Sequence, residues 1–125
     1  MSLYFERIDW MPSPPLAPDD GPIDTGHLDR MTLGDAGLER EVLAMFSSQA
    51  VSLIGRLAAL PSDAMELAHK LKGSARAIGA FGVAEAADRL ETAIRDGDDP
   101  SLALAGLKDA ITEARTAIDA MLRRS

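Results

Sequence analysis

Apolar residues recur every three or four positions through most of the chain, which is the spacing of amphipathic α-helices packed against a common core. Four such rows follow one another, each long enough for a helix of several turns. They are Val42, Phe46, Ala50, Leu53, Leu57 and Leu60; Ala64, Leu67, Leu71, Ala75 and Ile78; Val83, Ala87, Leu90 and Ile94; and Leu104, Leu107, Ile111, Ala114, Ile118 and Met121. No segment alternates apolar and polar residues for long enough to predict a strand. The pattern therefore predicts an all-α protein.

Residues that favour helix N-termini mark where several of these helices begin. A short first helix is predicted over residues 24–32 and a long second helix over residues 35–60, each opening at an aspartate that can cap it. Asp63 and Glu66 form a capping-box pattern at the start of the third helix.

Glycine and proline mark the remaining boundaries. Gly79 is predicted to end the third helix, Gly82 to open the fourth and Gly97 to terminate it. The last helix is predicted to start at Pro100, because proline fits the first turn of a helix. Connections this short favour antiparallel neighbours in a bundle.

Residues 1–22 differ in composition from the rest of the chain. Residues 1–11 carry three of its five aromatic side chains, and residues 12–22 contain five prolines, which predicts an extended linker. The first eleven residues are predicted to fold back over one end of the bundle, and the alternative is an arm that docks on a partner. We therefore divide the chain into a tail and proline-rich linker, residues 1–22, and a helical domain, residues 23–125.

Composition narrows the classes of function. The net charge of −7 disfavours nucleic acid and anionic membranes as partners, and the absence of cysteine excludes disulfides and thiolate metal sites. No stretch approaches the run of about 20 apolar residues that spans a bilayer, and the N-terminus lacks the features of a signal peptide. We expect a cytoplasmic monomer.

One histidine is predicted to face water from the third helix. Because each helical residue turns the chain by about 100°, the apolar row of this helix falls within a sector of roughly 80°. His69 lies nearly opposite that sector, with Lys72, Gly73 and Arg76 at the third, fourth and seventh positions after it. A histidine of the core would lie in the apolar sector.

This arrangement has a chemical rationale. A neutral imidazole nitrogen is nucleophilic near pH 7 and can hold a phosphoryl group, whose charge Lys72 can offset. Gly73 leaves room for a partner, and its cost of about 1 kcal/mol relative to alanine inside a helix indicates a reason to keep it. The alternative interpretation of His69 is a solvated histidine on a lysine-rich face.

Three further residues are candidates for the same site, each with an ordinary alternative. Glu91 lies about 100° from the apolar row of its helix and could accept a hydrogen bond from the imidazole; otherwise it is a solvated glutamate. Gln49 could reach the histidine or merely flank the core. Met65 lies one turn before His69, where it could pack against a partner or serve no function.

The H-x-L-K-G-S motif at residues 69–74, followed by G-A at residues 79–80 and L-E at residues 90–91, resembles the histidine-containing phosphotransfer (HPt) domain of bacterial phosphorelays. The resemblance covers residues 23–122. It implies an antiparallel four-helix bundle, here with a short extra N-terminal helix. It also implies a phosphocarrier that takes a phosphoryl group from a receiver aspartate, or from a hybrid sensor kinase, and passes it to a response regulator.

The resemblance also assigns roles to individual residues. It makes His69 the phosphorylation site, with Lys72 and Gly73 as supporting neighbours and Ser74 closing the motif. Many members of the family carry a glutamine on the next helix that is bonded to the histidine ring, and its counterpart here is Glu91.

A receiver domain is expected to dock over this face. Met65, Lys70 and Arg76 are the predicted docking residues, with the two cations steering the acidic receiver cleft. The chain is expected to bind no cofactor itself, because the receiver supplies the Mg²⁺. It is likewise expected to have no ATP site, since it contains no P-loop and no asparagine.

Two other functions compete with this hypothesis. A sensor-kinase phosphoacceptor helix resembles the segment less, because such helices place an acid directly after the histidine, where this chain has Lys70. A helical adaptor without phosphate chemistry is the alternative from another class. His27, the only other histidine, lacks the lysine and glycine at the same offsets and is predicted to be an ordinary, partly exposed side chain.

Overall fold

The computed structural model describes residues 21–124, which form five α-helices and, within that range, no strand. In chain order they are α1 (Thr25–Met31), α2 (Ala36–Leu57), α3 (Ala64–Ile78), α4 (Phe81–Arg95) and α5 (Ser101–Arg124). The first eleven residues, which were predicted to fold back over one end of the bundle, lie outside the described residues, as does most of the proline-rich linker.

Helices α2 to α5 form the predicted four-helix bundle, and α1 is the extra N-terminal helix. Helix α3 packs against α2 and α4, and α5 closes the ring by packing against α4 and α2. The most extensive of these interfaces joins α3 to α4. Both helices bury alanines that are at most 3% exposed, namely Ala68 and Ala75 of α3 and Ala84 and Ala87 of α4. Small side chains let two helix backbones approach closely, so polar groups at the edge of this seam can reach across it.

The core follows the predicted rows, except that Ile94, Leu104 and Met121 are only half-buried against it and that α2 differs from its prediction. Every predicted apolar residue of α3 is buried. In α2 the buried row begins at Leu43, whereas Val42 is only half-buried. Leu60 was expected to extend this row, but α2 ends at Leu57 and Leu60 lies in the following turn, 40% exposed with φ of 48°. The buried residues at positions 43, 46, 50, 53 and 57 already place one face of α2 against the core. The helix therefore does not need the further turn that would have included Leu60.

The predicted caps are confirmed for two helices and wrong for a third. The carboxylates of Asp24 and Asp35 accept hydrogen bonds from the backbone N–H groups of His27 and Leu38, both at 3.0 Å. The side chain of Asp63 makes no such bond and instead lies 3.5 Å from the guanidinium of Arg56. Asp63 has φ −96° and ψ 20°, outside the extended conformation that brings a capping side chain over the helix end.

The glycines do not all lie at the predicted boundaries. Helix α4 begins at Phe81, one residue before Gly82, and it ends at Arg95, two residues before Gly97. Gly97 has φ of +76°, and its N–H donates to the carbonyl of Ile94 at 3.2 Å in the closing turn. The N–H of Asp98 donates to the carbonyl of Ala93 at 2.9 Å, so this left-handed glycine terminates α4 as predicted.

Gly79 ends α3 as predicted, and it also anchors α1. Its φ of +87° is left-handed, and a Cβ there would lie 2.9 Å from the carbonyl oxygen of Asp24. The carbonyl of Gly79 accepts a hydrogen bond from the N–H of Asp24 at 2.8 Å. Ile23 and Leu28 are buried at the same end of the bundle, which fixes α1 against α3.

Candidate functional site

His69 lies on the exposed face of α3, opposite the buried row of that helix. Its side chain is 69% exposed, whereas the apolar residues one turn away on the other face are buried. The position therefore agrees with the orientation expected from the helical period, and the imidazole is accessible to a partner.

Glu91 of α4 contacts the imidazole across the α3–α4 seam. The Nδ1 atom of His69 lies 3.1 Å from Oε2 of Glu91. An ionised carboxylate can only accept hydrogen bonds, so Nδ1 carries the hydrogen and donates it. In this tautomer the lone pair is on Nε2, for which the described residues provide no hydrogen-bond partner. The contact thus fixes the ring orientation and, in the neutral ring, leaves the lone pair of Nε2 unused by the described residues.

Lys72 lies in the seam rather than on the open face where the sequence placed it. Its side chain is only 13% exposed, and its Nζ lies 2.8 Å from Oε1 of Glu91 and 3.0 Å from Oδ1 of Asp88. The helical period put Lys72 about 60° from His69, and that offset turns it toward α4. Lys72 is therefore paired with two carboxylates rather than free beside the imidazole.

Lys72, Glu91 and Asp88 form a charged cluster, in which the lysine and the two carboxylates stabilise one another's ionised forms. Hydrogen bonding to Lys72 is the main cause that holds the pKa of Glu91 below its usual range, against the opposing effect of desolvation, and His69 acts in the same direction. Lys72 likewise lowers the pKa of Asp88, while Glu91 and then Asp88 raise the pKa of Lys72. Near neutral pH both carboxylates are ionised and the lysine is charged.

Gly73 leaves open space beside the imidazole. A Cβ built at this position would meet no atom within 4 Å beyond its own helix and chain neighbours. Nothing in the fold therefore requires glycine there, and α3 would tolerate a larger residue. Access to His69 stays the predicted reason for a residue that is unfavourable inside a helix.

The predicted docking residues Met65, Lys70 and Arg76 are all exposed on α3. Met65 is 39% exposed one turn before His69, and Arg76 acts electrostatically on Asp88. Their positions agree with a surface around the imidazole that combines an apolar residue with positive charges, although the net charge of the whole chain is −7.

Gln49 and Ser74 lie away from the imidazole, beside an apolar groove between α2, α3 and α1. No hydrogen bond joins Gln49 to His69 among the described residues; the carboxylate of Glu91 takes that place. The groove has a volume of about 330 Å³. Its lining residues are Met31, Val42, Met45, Phe46, Gln49, Ser74, Ala77 and Ile78.

Sequence reasoning missed this groove and also missed Asp88. Met45 is 70% exposed and Met31 is 44% exposed, and the two come from helices whose packing the helical period does not predict. The only available signal was that Met45 falls outside the buried row of α2. For Asp88, the signal was its position one turn before Glu91 on the same helix.

His27 is half-buried and has a structural role that agrees with the prediction of an ordinary histidine. Its Nε2 lies 3.1 Å from the carbonyl oxygen of Ala77, to which it donates, and its ring packs edge-on against Phe81 with centroids 5.2 Å apart. These contacts attach α1 to the junction of α3 and α4.

Residues 21–124 contain neither a candidate metal site nor a candidate membrane-spanning helix. No group of three or more histidine, cysteine, aspartate or glutamate side chains is arranged to hold a metal ion there. None of the helices in this range combines the length and apolar character needed to cross a bilayer.

The comparison with protein families gives one match. The Hpt domain family model matches residues 41–120, about two thirds of the chain, from early α2 to near the end of α5. The matched range includes His69, Lys72, Gly73 and Glu91, whereas α1 lies before it. Neither the curated proteins nor the solved structures contain a significant match.

Proposed function

The chain belongs to the Hpt domain family, whose members take part in phosphorelay phosphotransfer as phosphocarriers rather than kinases, and we propose that it carries the phosphoryl group on His69 between receiver-domain aspartates. The donor is a receiver domain, which can be that of a hybrid sensor kinase, and the acceptor is a response regulator. The observation that carries this proposal is an exposed imidazole whose Nδ1 is held by an ionised glutamate.

In the proposed reaction, the Nε2 lone pair of His69 attacks the phosphorus of the receiver's aspartyl phosphate. The N–P bond forms as the P–O bond to the aspartate breaks, and the carboxylate leaves with the electron pair of that bond. The positive charge that develops on the imidazole is balanced by Glu91 through the Nδ1–H, which stays in place. The reverse step returns the phosphoryl group to the aspartate of a second receiver.

The remaining residues support this step in different ways. Lys72 offsets negative charge next to the imidazole, and Gly73 gives the receiver's acidic site access to Nε2. In this proposal the Mg²⁺ that receiver chemistry requires is bound by the receiver. Ser74 and Gln49 belong to the edge of the docking surface rather than to the reacting site.

The groove supplies the apolar part of the proposed receiver-docking surface. Two of its α3 residues, Ser74 and Ala77, lie five and eight positions after His69, about 8 and 12 Å further along the helix axis. A receiver docked on the imidazole would reach the groove, where exposed methionines offer adaptable apolar contacts. Lys70 and Arg76 would then face the acidic residues of the receiver.

Phosphate uptake from a panel of receiver domains, each charged with radiolabelled acetyl phosphate, tests the proposal. We expect at least one receiver to transfer acid-labile label to the wild type and none to transfer it to His69→Gln, whose fold is retained because the side chain is exposed. His27→Gln is the matched control and keeps the label. Equal labelling of the wild type and His69→Gln would contradict the proposal, and receiver binding without any transfer would favour the adaptor.

A further inference from the structure

Lys72 is held by two carboxylates that differ in exposure. The side chain of Glu91 is 13% exposed and that of Asp88 is 50% exposed, although both lie within 3.0 Å of Nζ. Water screens an exposed ion pair far more than a buried one, so the contact with Asp88 is the weaker of the two. Lys72 can therefore exchange this partner while keeping Glu91.

Phosphorylation would change the charge balance of the cluster. Before phosphorylation, two carboxylates share one ammonium group, which leaves an excess of one negative charge. A phosphoryl group on Nε2 adds up to about two further negative charges. Lys72 lies three residues after His69, on the adjoining turn of the same helix, and is the cation already within the cluster.

Asp88 has other cations available if Lys72 leaves it. Arg76 of α3 and Arg95 of α4 both lower the pKa of Asp88, as does Lys72. The loss of the Lys72 contact would therefore not leave the Asp88 carboxylate without compensation. Glu91 has no comparable substitute, since Lys72 and His69 are its partners.

We propose that Asp88 is a positioning residue that holds Lys72 in the unphosphorylated protein and competes with the phosphoryl group on His69 for its ammonium. The inference rests on the proposed function. By keeping the Lys72 ammonium from the phosphoryl oxygens, Asp88 makes the phosphorylated form of this protein less stable and favours transfer of the phosphoryl group to the next receiver. Removing the Asp88 charge should release Lys72 to the phosphoryl oxygens.

Chemical phosphorylation tests this competition without a receiver. The wild type and Asp88→Asn are phosphorylated with potassium phosphoramidate, and the phosphohistidine is titrated by ³¹P NMR, its signal being assigned by its absence in His69→Gln. We expect Asp88→Asn to increase the acid dissociation constant of the phosphoryl group by about threefold, because a freed Lys72 stabilises the dianion. With a receiver that exchanges phosphate, the equilibrium should shift about threefold toward His69.

Two matched variants separate this exchange from a general loss of negative charge. Glu85→Gln removes a charge from the exposed face of α4 one turn before Asp88, and it should have little effect. In a Lys72→Met background, Asp88→Asn should also have little effect, because no ammonium remains to be released. An equal effect of Asp88→Asn with and without Lys72, or a matching effect of Glu85→Gln, would overturn the inference.

The outcomes distinguish this inference from the proposed function. If the wild type takes phosphate from phosphoramidate but from no receiver, the proposed function fails while the ³¹P titration still decides the role of Asp88. If receivers phosphorylate the wild type and Asp88→Asn alike and both hold the phosphoryl group equally, only the role of Asp88 is wrong. A His69 that accepts phosphate from neither donor overturns both.

Discussion

The Nδ1 atom of His69 lies 3.1 Å from the Oε2 atom of Glu91, across the seam between α3 and α4. The second carboxylate oxygen of Glu91 lies 2.8 Å from Nζ of Lys72, so one side chain contacts both the imidazole and the lysine. The orientation of the imidazole on α3 consequently depends on a residue of α4.

Glu91→Gln should slow phosphoryl transfer without unfolding the protein. The amide oxygen can still accept the Nδ1 hydrogen, so the tautomer is retained, but a neutral amide cannot balance the charge that develops on the ring. We expect transfer from a charged receiver to fall about tenfold, because charge-assisted hydrogen bonds are roughly twice as strong as neutral ones. Rapid-quench kinetics measure the rate, with Glu85→Gln as control. Transfer faster than in the wild type would contradict the assigned role.

The contribution of Glu91 to stability should depend on pH. Its pKa is lowered in the folded protein from an ordinary value of 4.5, chiefly by Lys72. Its ionisation therefore stabilises the fold above that ordinary value, and the contribution disappears as the pH falls through the lower folded-state pKa. Urea denaturation of the wild type and Glu91→Gln should give a difference in the free energy of unfolding that shrinks as the pH falls below 4.5. A difference that grows as the pH falls below 4.5 would contradict the pKa direction.

Gly73 should be replaceable for folding but not for function. Gly73→Ala places a methyl group in open space and should stabilise the protein by up to about 1 kcal/mol, because alanine favours the helix. Gly73→Gln should also fold, yet it should block transfer by occupying the space beside Nε2. Thermal denaturation and the uptake assay measure the two effects. Gly106→Ala, in equally open space on α5, should stabilise the fold and leave transfer unchanged. Normal transfer by Gly73→Gln would refute the access argument.

A charge in the groove should weaken receiver docking. Met45 is 70% exposed, so Met45→Asp should leave the fold intact while a receiver loses apolar contact and meets an added negative charge. We expect affinity to fall about tenfold, which is typical when a central apolar contact is lost. Calorimetric titration with a receiver that transfers phosphate measures the effect. Leu102→Asp, which is 86% exposed on α5 outside the groove, is the control and should bind normally. Equal losses in both variants would remove the groove from the docking surface.

The helical period predicted much of the fold before any coordinates. It located the helices, the buried row of α3 and the outward direction of His69, because each of these depends on positions within a single helix. Its errors are the last turn of α2, the cap at Asp63, and Leu43 in place of Val42 in the core. These positions depend on how a helix contacts the neighbouring helices and turns.

By itself, then, the sequence determined the buried row of α3, the outward direction of His69 and the residue types that follow it on the same helix. Only the tertiary structure decided that Lys72 pairs with Asp88 and Glu91, and that Met31 of α1 completes a groove with α2 and α3. The physical reason is that a residue's angular position on its own helix follows from local geometry. Its partners depend on the distance and axial register between helices, which the packing of the whole core sets.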